Sequence, residues 1–362
     1  GDLRGNEKRR IMVLWVDKYR PTQLGKLDMH PLITKRLKTL VASGDIPHLL
    51  FYGPSGAGKR TRVRAVLREL YGSGVEKTKI SQKIFKVGSS KIDIAVLSSN
   101  YHIEMCPADA GLRDTHVITQ VIKEIAQTHT LDPSTQRAYK VVVLNEVDRL
   151  SQQAQNALRR TMEKYMATCR IFMVCESSCR VIGPLRSRCL GIRVPSPDEK
   201  QMMKILNDIA KKERLTLPQK LAQQITESSH RNLRRAILMF ESTKVQQYPF
   251  LAEQKVNDCD WEVYIKKLAD SIVNSQSPQR LLEARRCFYE LLGNCIPPQV
   301  IIKTLVKNLL SRMDDELKFK VIEQAAFFEH RMKIGSKPIY HLEAFVAKFM
   351  SMYKKFVISM FA

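Results

Sequence analysis

Apolar positions in the first half of the chain come in short runs separated by glycine, proline and polar turns. Leu49-Leu50-Phe51-Tyr52 is such a run, closed by a glycine-rich turn and followed by helical periodicity from Lys59 to Tyr71. Residues 80–97 alternate apolar and polar side chains in two stretches, which predicts a hairpin insertion. Tyr101–Met105 predicts a strand and residues 112–128 a helix. Val141–Leu144 is uninterruptedly apolar, the pattern of a strand buried on both faces. A helix over 151–166, a strand over Arg170–Cys175 and a last strand over Gly191–Val194 follow. Strands alternating with helices at this spacing predict an α/β fold on a parallel sheet covered on both faces.

Pro195-Ser196-Pro197 ends that pattern. Every long segment beyond it has helical periodicity. Helices over 198–213, 217–229 and 232–246 would make a unit the size of a lid, and Tyr248–Asp260 reads as a linker. Helices then run to the C-terminus, with a turn at Cys295-Ile296-Pro297-Pro298. The last of them carries Phe345, Val346, Phe349, Met350, Tyr353 and Phe356 at near-helical spacing. Such a stripe is usually core, so only part of it need face a neighbour. The expected organisation is an N-terminal extension (1–13), an α/β domain (14–195), a helical lid (196–247), a linker (248–259) and an all-α collar (260–362).

Composition is globular, with 44% hydrophobic and 27% charged residues. Sixty Lys and Arg against 36 Asp and Glu leave a net charge of +24, spread along the chain. Such a field attracts polyanions, nucleic acid first and acidic protein or membrane surfaces second; a merely basic protein is the bland alternative. No run approaches the ~18 apolar residues of a spanning helix, so a soluble protein is expected, and nucleic acid rather than membrane is the expected polyanion. The eight cysteines form no C-x-x-C pair, which argues against zinc and fits reduced thiols of a cytosolic or nuclear protein.

The sharpest motif is Gly53-Pro54-Ser55-Gly56-Ala57-Gly58-Lys59-Arg60-Thr61, which fits G-x-x-x-x-G-K between a strand and a helix. Its glycines let backbone N–H groups converge on phosphate oxygens, and Lys59 would reach the β/γ oxygens. The residue after the lysine should be Ser or Thr, whose hydroxyl ligates Mg2+. Here it is Arg60, which coordinates no cation, and Thr61 lies ~100° further round the helix. A second departure follows Val141–Leu144, where Asn145-Glu146-Val147-Asp148 replaces the usual Asp-Glu pair. Asn145 lacks the metal-side charge, while Glu146 remains available as a general base. ATP or ADP binding is therefore expected, with hydrolysis weak or absent and a resident Mg2+ disfavoured.

Trp15-Val16-Asp17-Lys18-Tyr19-Arg20-Pro21, the phosphate loop, Ala154–Glu163 and Ser187-Arg188-Cys189 together resemble a replication factor C small subunit, a clamp-loader AAA+ protein. The GKR and NEVD departures and the tail Ala344–Phe349 are similar to the type called subunit three in animals and subunit five in yeasts. The resemblance spans nearly everything from Leu14 onward. It implies a P-loop domain, a lid and a collar assembled in a nuclear hetero-pentamer with other replication factor C subunits. Such a ring opens a sliding clamp of the PCNA type and places it on primer–template DNA.

Residue by residue, the resemblance implies that Val16, Tyr19, Arg20 and Pro21 line an adenine pocket. Read alone, that segment is a surface-docked arm with Trp15 and Tyr19 packed on the domain. Arg188 would be a finger acting in trans on a neighbour's γ-phosphoryl group; in isolation it would be an ordinary surface arginine. Arg234 resembles the second sensor arginine that ties lid to nucleotide, leaving Arg235 as a solvated helix residue. Glu176 stands where the family has a sensor Asn. Its charge repels phosphate unless Arg60 or another cation screens it. The helix starts near Arg113–Thr115 and Ser151–Gln155 are candidate contacts to duplex phosphates. Two other functions remain open: an autonomous ATP-hydrolysing DNA remodeller or helicase, and a small subunit shared with checkpoint or repair loaders.

Overall fold

The computed structural model describes residues 13–87, 90–127, 139–166, 168–251, 254, 259–335 and 337–361. Residues 1–12 of the expected extension and part of the expected linker lie outside them. The chain divides into two compact units between residues 256 and 257.

The first unit holds a sheet of seven strands: β1 (Leu49–Tyr52), β2 (Lys79–Val87), β3 (Ser90–Ser98), β4 (His102–Met105), β5 (Lys140–Leu144), β6 (Cys169–Cys175) and β7 (Leu190–Arg193). Their spatial order is β2-β3-β4-β5-β6-β1-β7. β4, β5, β6, β1 and β7 are parallel, whereas β3 runs antiparallel to both β4 and β2. The sheet is thus mixed rather than purely parallel. The hairpin insertion pairs along β4 and lengthens the sheet.

Period-two alternation delivers apolar side chains to both faces. Val142, Leu144, Ile171 and Met173 pack in one core with Val117, Val121 and Leu158 of the helices Asp114–Gln127 and Gln152–Lys164. Val141, Val143, Phe172 and Val174 pack in the other, with Leu37, Val63 and Leu67 of the helices Pro31–Ala42 and Lys59–Tyr71. All are buried, each contributing roughly 1.5–3 kcal/mol of transfer free energy. β1 lies between β6 and β7, so its C-terminal loop opens at the edge where α/β sheets bind ligands.

Helices Glu199–Lys212, Gln219–Ser228 and Leu233–Gln246 follow. Asp198 and Gln201 form a reciprocal capping box at the start of the first. Their core includes Met202, Leu206, Leu221 and Phe240, and also Trp15 from the short helix Trp15–Lys18. The Trp15 and Phe240 rings meet edge-on at 5.1 Å. The N-terminal arm therefore docks on these lid helices.

The second unit is five helices, Asp260–Asn274, Pro278–Gly293, Pro298–Leu310, Asp315–Ile334 and Pro338–Phe361, around one core. Phe345, Val346, Phe349 and Met350 are buried in it, and Tyr353 and Phe356 pack against it half-buried. The apolar stripe is spent internally. Exposed large apolar side chains are spread over all five helices, among them Leu282, Tyr289, Tyr340 and Ile358, and on the fourth they include Phe319 (76%) and Ile322 (48%).

Candidate functional site

The phosphate loop is shaped by two close approaches. Gly53 has φ +148°, and a Cβ there would lie 2.0 Å from the Val194 carbonyl oxygen. Gly56 has φ +73°, and a Cβ would lie 1.8 Å from Asn232 Oδ1. Asn232 is the N-cap of Leu233–Gln246 and accepts from the Arg235 N–H at 3.2 Å. The lid helix thus begins against the phosphate loop, and only glycine fits between them.

That loop opens into a cleft of about 1130 Å³, large enough for a nucleotide. Ser55, Gly56, Gly58, Lys59, Arg60 and Thr61 line it. Val16, Tyr19, Arg20 and Pro21 reach it from the arm, Arg234 from the lid and Glu146 from the end of β5. Gly53, Pro54 and Ala57 shape the loop without lining the cleft. Tyr19 donates its hydroxyl to Glu213, which also binds Lys18 Nζ at 2.6 Å. Arg20 is tied to Asp17 at 2.7 Å.

Lys59 donates to the carbonyls of Gly53 at 2.7 Å and Pro54 at 2.9 Å. Burial lowers its pKa, while Glu176, Cys175 and Asp148 raise it. Lys59 and Glu176 both line the cleft. Arg60 is paired with Glu104. Arg234 is exposed, whereas Arg235, expected to be solvated, is half-buried with its Nε shielded from solvent. The cap at Asn232 sets the phase of that helix, leaving Arg234 at the cleft and turning its neighbour inward.

Glu104, on β4, is the residue that sequence reasoning missed. It is 3% exposed, forms an ion pair with Arg60 through Nε, and accepts from Asn145 Nδ2 at 2.9 Å, with Arg64 Nη2 at 3.5 Å. Burial pushes its carboxyl up, but Arg60 and the Asn145 hydrogen bond outweigh burial and hold it below its usual value. Both metal-side departures thus meet on one carboxylate. Its only available signal was a charge inside the short strand His102–Met105. Mg2+ prefers carboxylate and water oxygens. Here the hydroxyl position holds a guanidinium, the aspartate position an amide, and the nearest buried carboxylate is bonded to both. These residues do not fit a resident Mg2+.

Glu146 has φ +55° and pairs with Arg149 at 2.9 Å. Arg188 does not line the cleft; it follows the short helix Gly183–Arg186, between β6 and β7. Its guanidinium binds Glu163 and the Pro184 carbonyl. The two candidate phosphate-facing helix starts are stitched together. Buried Asp114 accepts from the Ser151 N–H at 2.7 Å and hydroxyl at 2.9 Å.

Three family models match parts of the chain. They are "DNA polymerase III, delta subunit" over residues 29–198, "RCF1/5-like, AAA+ ATPase lid domain" over 204–245 and "Replication factor C subunit 3, C-terminal domain" over 261–357. Replication factor C subunit 3 of Homo sapiens is 54% identical over 347 residues, covering 96% of this chain and 98% of that protein. Replication factor C subunit 5 of Oryza sativa subsp. japonica is 51% identical, covering 96% and 100%. Replication factor C subunit 5 of Schizosaccharomyces pombe is 42% identical, covering 94% and 97%.

Proposed function

The chain belongs to the replication factor C subunit 3/5 family of AAA+ clamp-loader subunits, and we propose that it binds nucleotide, turns it over poorly and completes a neighbour's ATP site with Arg188. The observation that carries this reading is the Arg60–Glu104–Asn145 cluster, which occupies the metal side of an otherwise complete phosphate loop. Tyr19, Val16 and Pro21 would hold the base, Lys59 the phosphates, and Arg234 would couple the lid to them. An autonomous remodeller would need a metal-side carboxylate that Asn145 does not supply.

Within the multi-subunit loader, the partners are other replication factor C subunits, a sliding clamp and primer–template DNA in the nucleus. The charge of +24 supports the DNA reading. Replication and checkpoint or repair loaders could share such a subunit. The test is clamp- and DNA-stimulated ATPase of rings carrying Lys59→Ala or Arg188→Ala. Arg188→Ala should lower turnover while this chain's nucleotide affinity stays unchanged, and Lys59→Ala should lose nucleotide here with a smaller effect on turnover. The reverse order would make this subunit a motor and overturn the reading.

A further inference from the structure

Arg60 and Asn145 stand 85 positions apart in the sequence. The structure joins them through Glu104. Its Oε1 pairs with the Arg60 guanidinium and accepts from Asn145 Nδ2, and its other oxygen faces Arg64. An aspartate at 145 would set a second carboxylate beside Glu104, and like charges at hydrogen-bonding distance repel. The amide at 145 instead donates to it. Arg60, for its part, commits Nε to Glu104, while Nη1 and Nη2 carry four further N–H donors. Its side chain is 47% exposed, with Glu104 holding its inner end, and both residues line the nucleotide cleft.

We infer that Arg60, anchored by Glu104 and Asn145, takes the place of the divalent cation, so that this subunit binds ADP or ATP without Mg2+. The inference rests on the nucleotide-binding reading above. The physical logic is substitution of one counter-charge by another. A phosphate group needs positive charge beside it, and a guanidinium supplies it with directed hydrogen bonds. A fixed guanidinium cannot also hold and polarise an attacking water as a metal shell does. Glu104 is then a positioning residue: it touches no phosphate and acts through Arg60. Nucleotide would be held here independently of the Mg2+ on which the hydrolysing sites of the ring depend.

The experiment is calorimetric titration of ADP into the full-length chain, once in excess EDTA and once in MgCl2. The two affinities should agree within about threefold. Arg60→Ala removes the guanidinium beside the phosphates and leaves Glu104 with only Arg64 and the Asn145 amide, so in EDTA its affinity should fall about tenfold or more. MgCl2 should restore most of that loss, because Glu104 then becomes a cation ligand. A loss of tenfold or more on chelating Mg2+ from the wild-type chain overturns the inference and leaves nucleotide binding intact. So does an Arg60→Ala chain that keeps wild-type affinity in EDTA. No ADP binding in either buffer overturns both the inference and the nucleotide-binding reading.

Discussion

Arg188 grips Glu163 with two nitrogens, Nε at 2.7 Å and Nη2 at 2.6 Å, while its Nη1 donates to the Pro184 carbonyl at 2.9 Å. Glu163 lies near the end of Gln152–Lys164, the helix whose N-terminus is fixed by Asp114. One helix thus joins a candidate DNA-facing end to the proposed finger. A guanidinium held this way is preorganised, which favours action on charge that develops only in a transition state.

Glu163→Gln should therefore lower the ring's stimulated ATPase, though less than Arg188→Ala does. Fingers are worth ~10³–10⁵ in rate at one site, and the other sites of a ring mask part of that. Both partners are substantially solvated, so the stability cost should stay below about 1 kcal/mol. Arg188→Lys should fail to rescue turnover, because an ammonium cannot keep both contacts. ATPase, melting temperature and ADP affinity measured together separate positioning from folding.

Phe319 and Ile322 lie one turn apart on Asp315–Ile334 and are exposed, at 76% and 48%. Within the collar reading they are one apolar patch available to a neighbour, beside other exposed residues such as Leu282 and Ile358. Phe319→Asp with Ile322→Ser should weaken ring assembly and leave the chain's own melting temperature within a few degrees. Phe349→Ala, fully buried, should do the opposite, costing about 3–5 kcal/mol of stability. Size-exclusion chromatography of co-expressed rings and thermal melts distinguish the two.

Local pattern revealed the elements because it is written locally. The run at Val141–Leu144 and the helix Lys59–Tyr71 need only their own residues to be recognised. The phosphate loop was equally legible, since its chemistry is contiguous. Long-range placement was not. Glu104 meets Asn145 only once β4 pairs with β5, and Arg60 only once the helix Lys59–Tyr71 packs on the sheet. Trp15 finds Phe240 across 225 positions, and the partner of Arg188 is set by tertiary packing. The collar stripe at Phe345–Phe356 showed the limit in reverse: periodicity marks an apolar face, and packing decides whether it is core.

Trp15→Ala should destabilise the first unit by roughly 3 kcal/mol, because it empties a lid core and removes the edge-on contact with Phe240. The backbone N–H of Trp15 also donates to Glu241 at 3.0 Å, which anchors the arm that carries Val16 and Tyr19. ADP affinity should fall with it. Trp15→Phe should recover most of both. A chemical melt and an ADP titration on each variant check this.

Burial pushes His48 and His102 down to about 4 from an ordinary 6.5. His48 Nδ1 accepts from the Ile171 N–H at 3.0 Å, and His102 Nδ1 meets the Ser99 hydroxyl at 2.6 Å, so both are held neutral inside the fold. The unfolded chain binds these protons more readily than the folded one. Stability from them is complete above pH 6.5 and is lost as pH falls toward 4, by roughly 2–3 kcal/mol for each. His48→Gln and His102→Gln should each flatten the fall of the urea midpoint across that window, with least difference from wild type near pH 4.

Glu146 is the residue that a hydrolysing member of this fold would use to deprotonate water. In this chain it has a left-handed backbone and pairs with Arg149, and the position before it is Asn145 rather than a metal-holding carboxylate. A general base contributes ~10²–10⁴ only where a water is held against the γ-phosphate. With Arg60 directed to Glu104 and an amide in place of the metal-side carboxylate at 145, that water has no metal shell to hold it. Glu146→Gln in this subunit alone should therefore leave the ring's clamp- and DNA-stimulated ATPase within about twofold, and ADP affinity unchanged. The same substitution at the equivalent glutamate of a neighbouring hydrolysing subunit should cost the ring most of its turnover. If Glu146→Gln here drops turnover as far as the neighbour's change does, this subunit burns ATP. The Arg60–Glu104 pair would then have to open during the cycle.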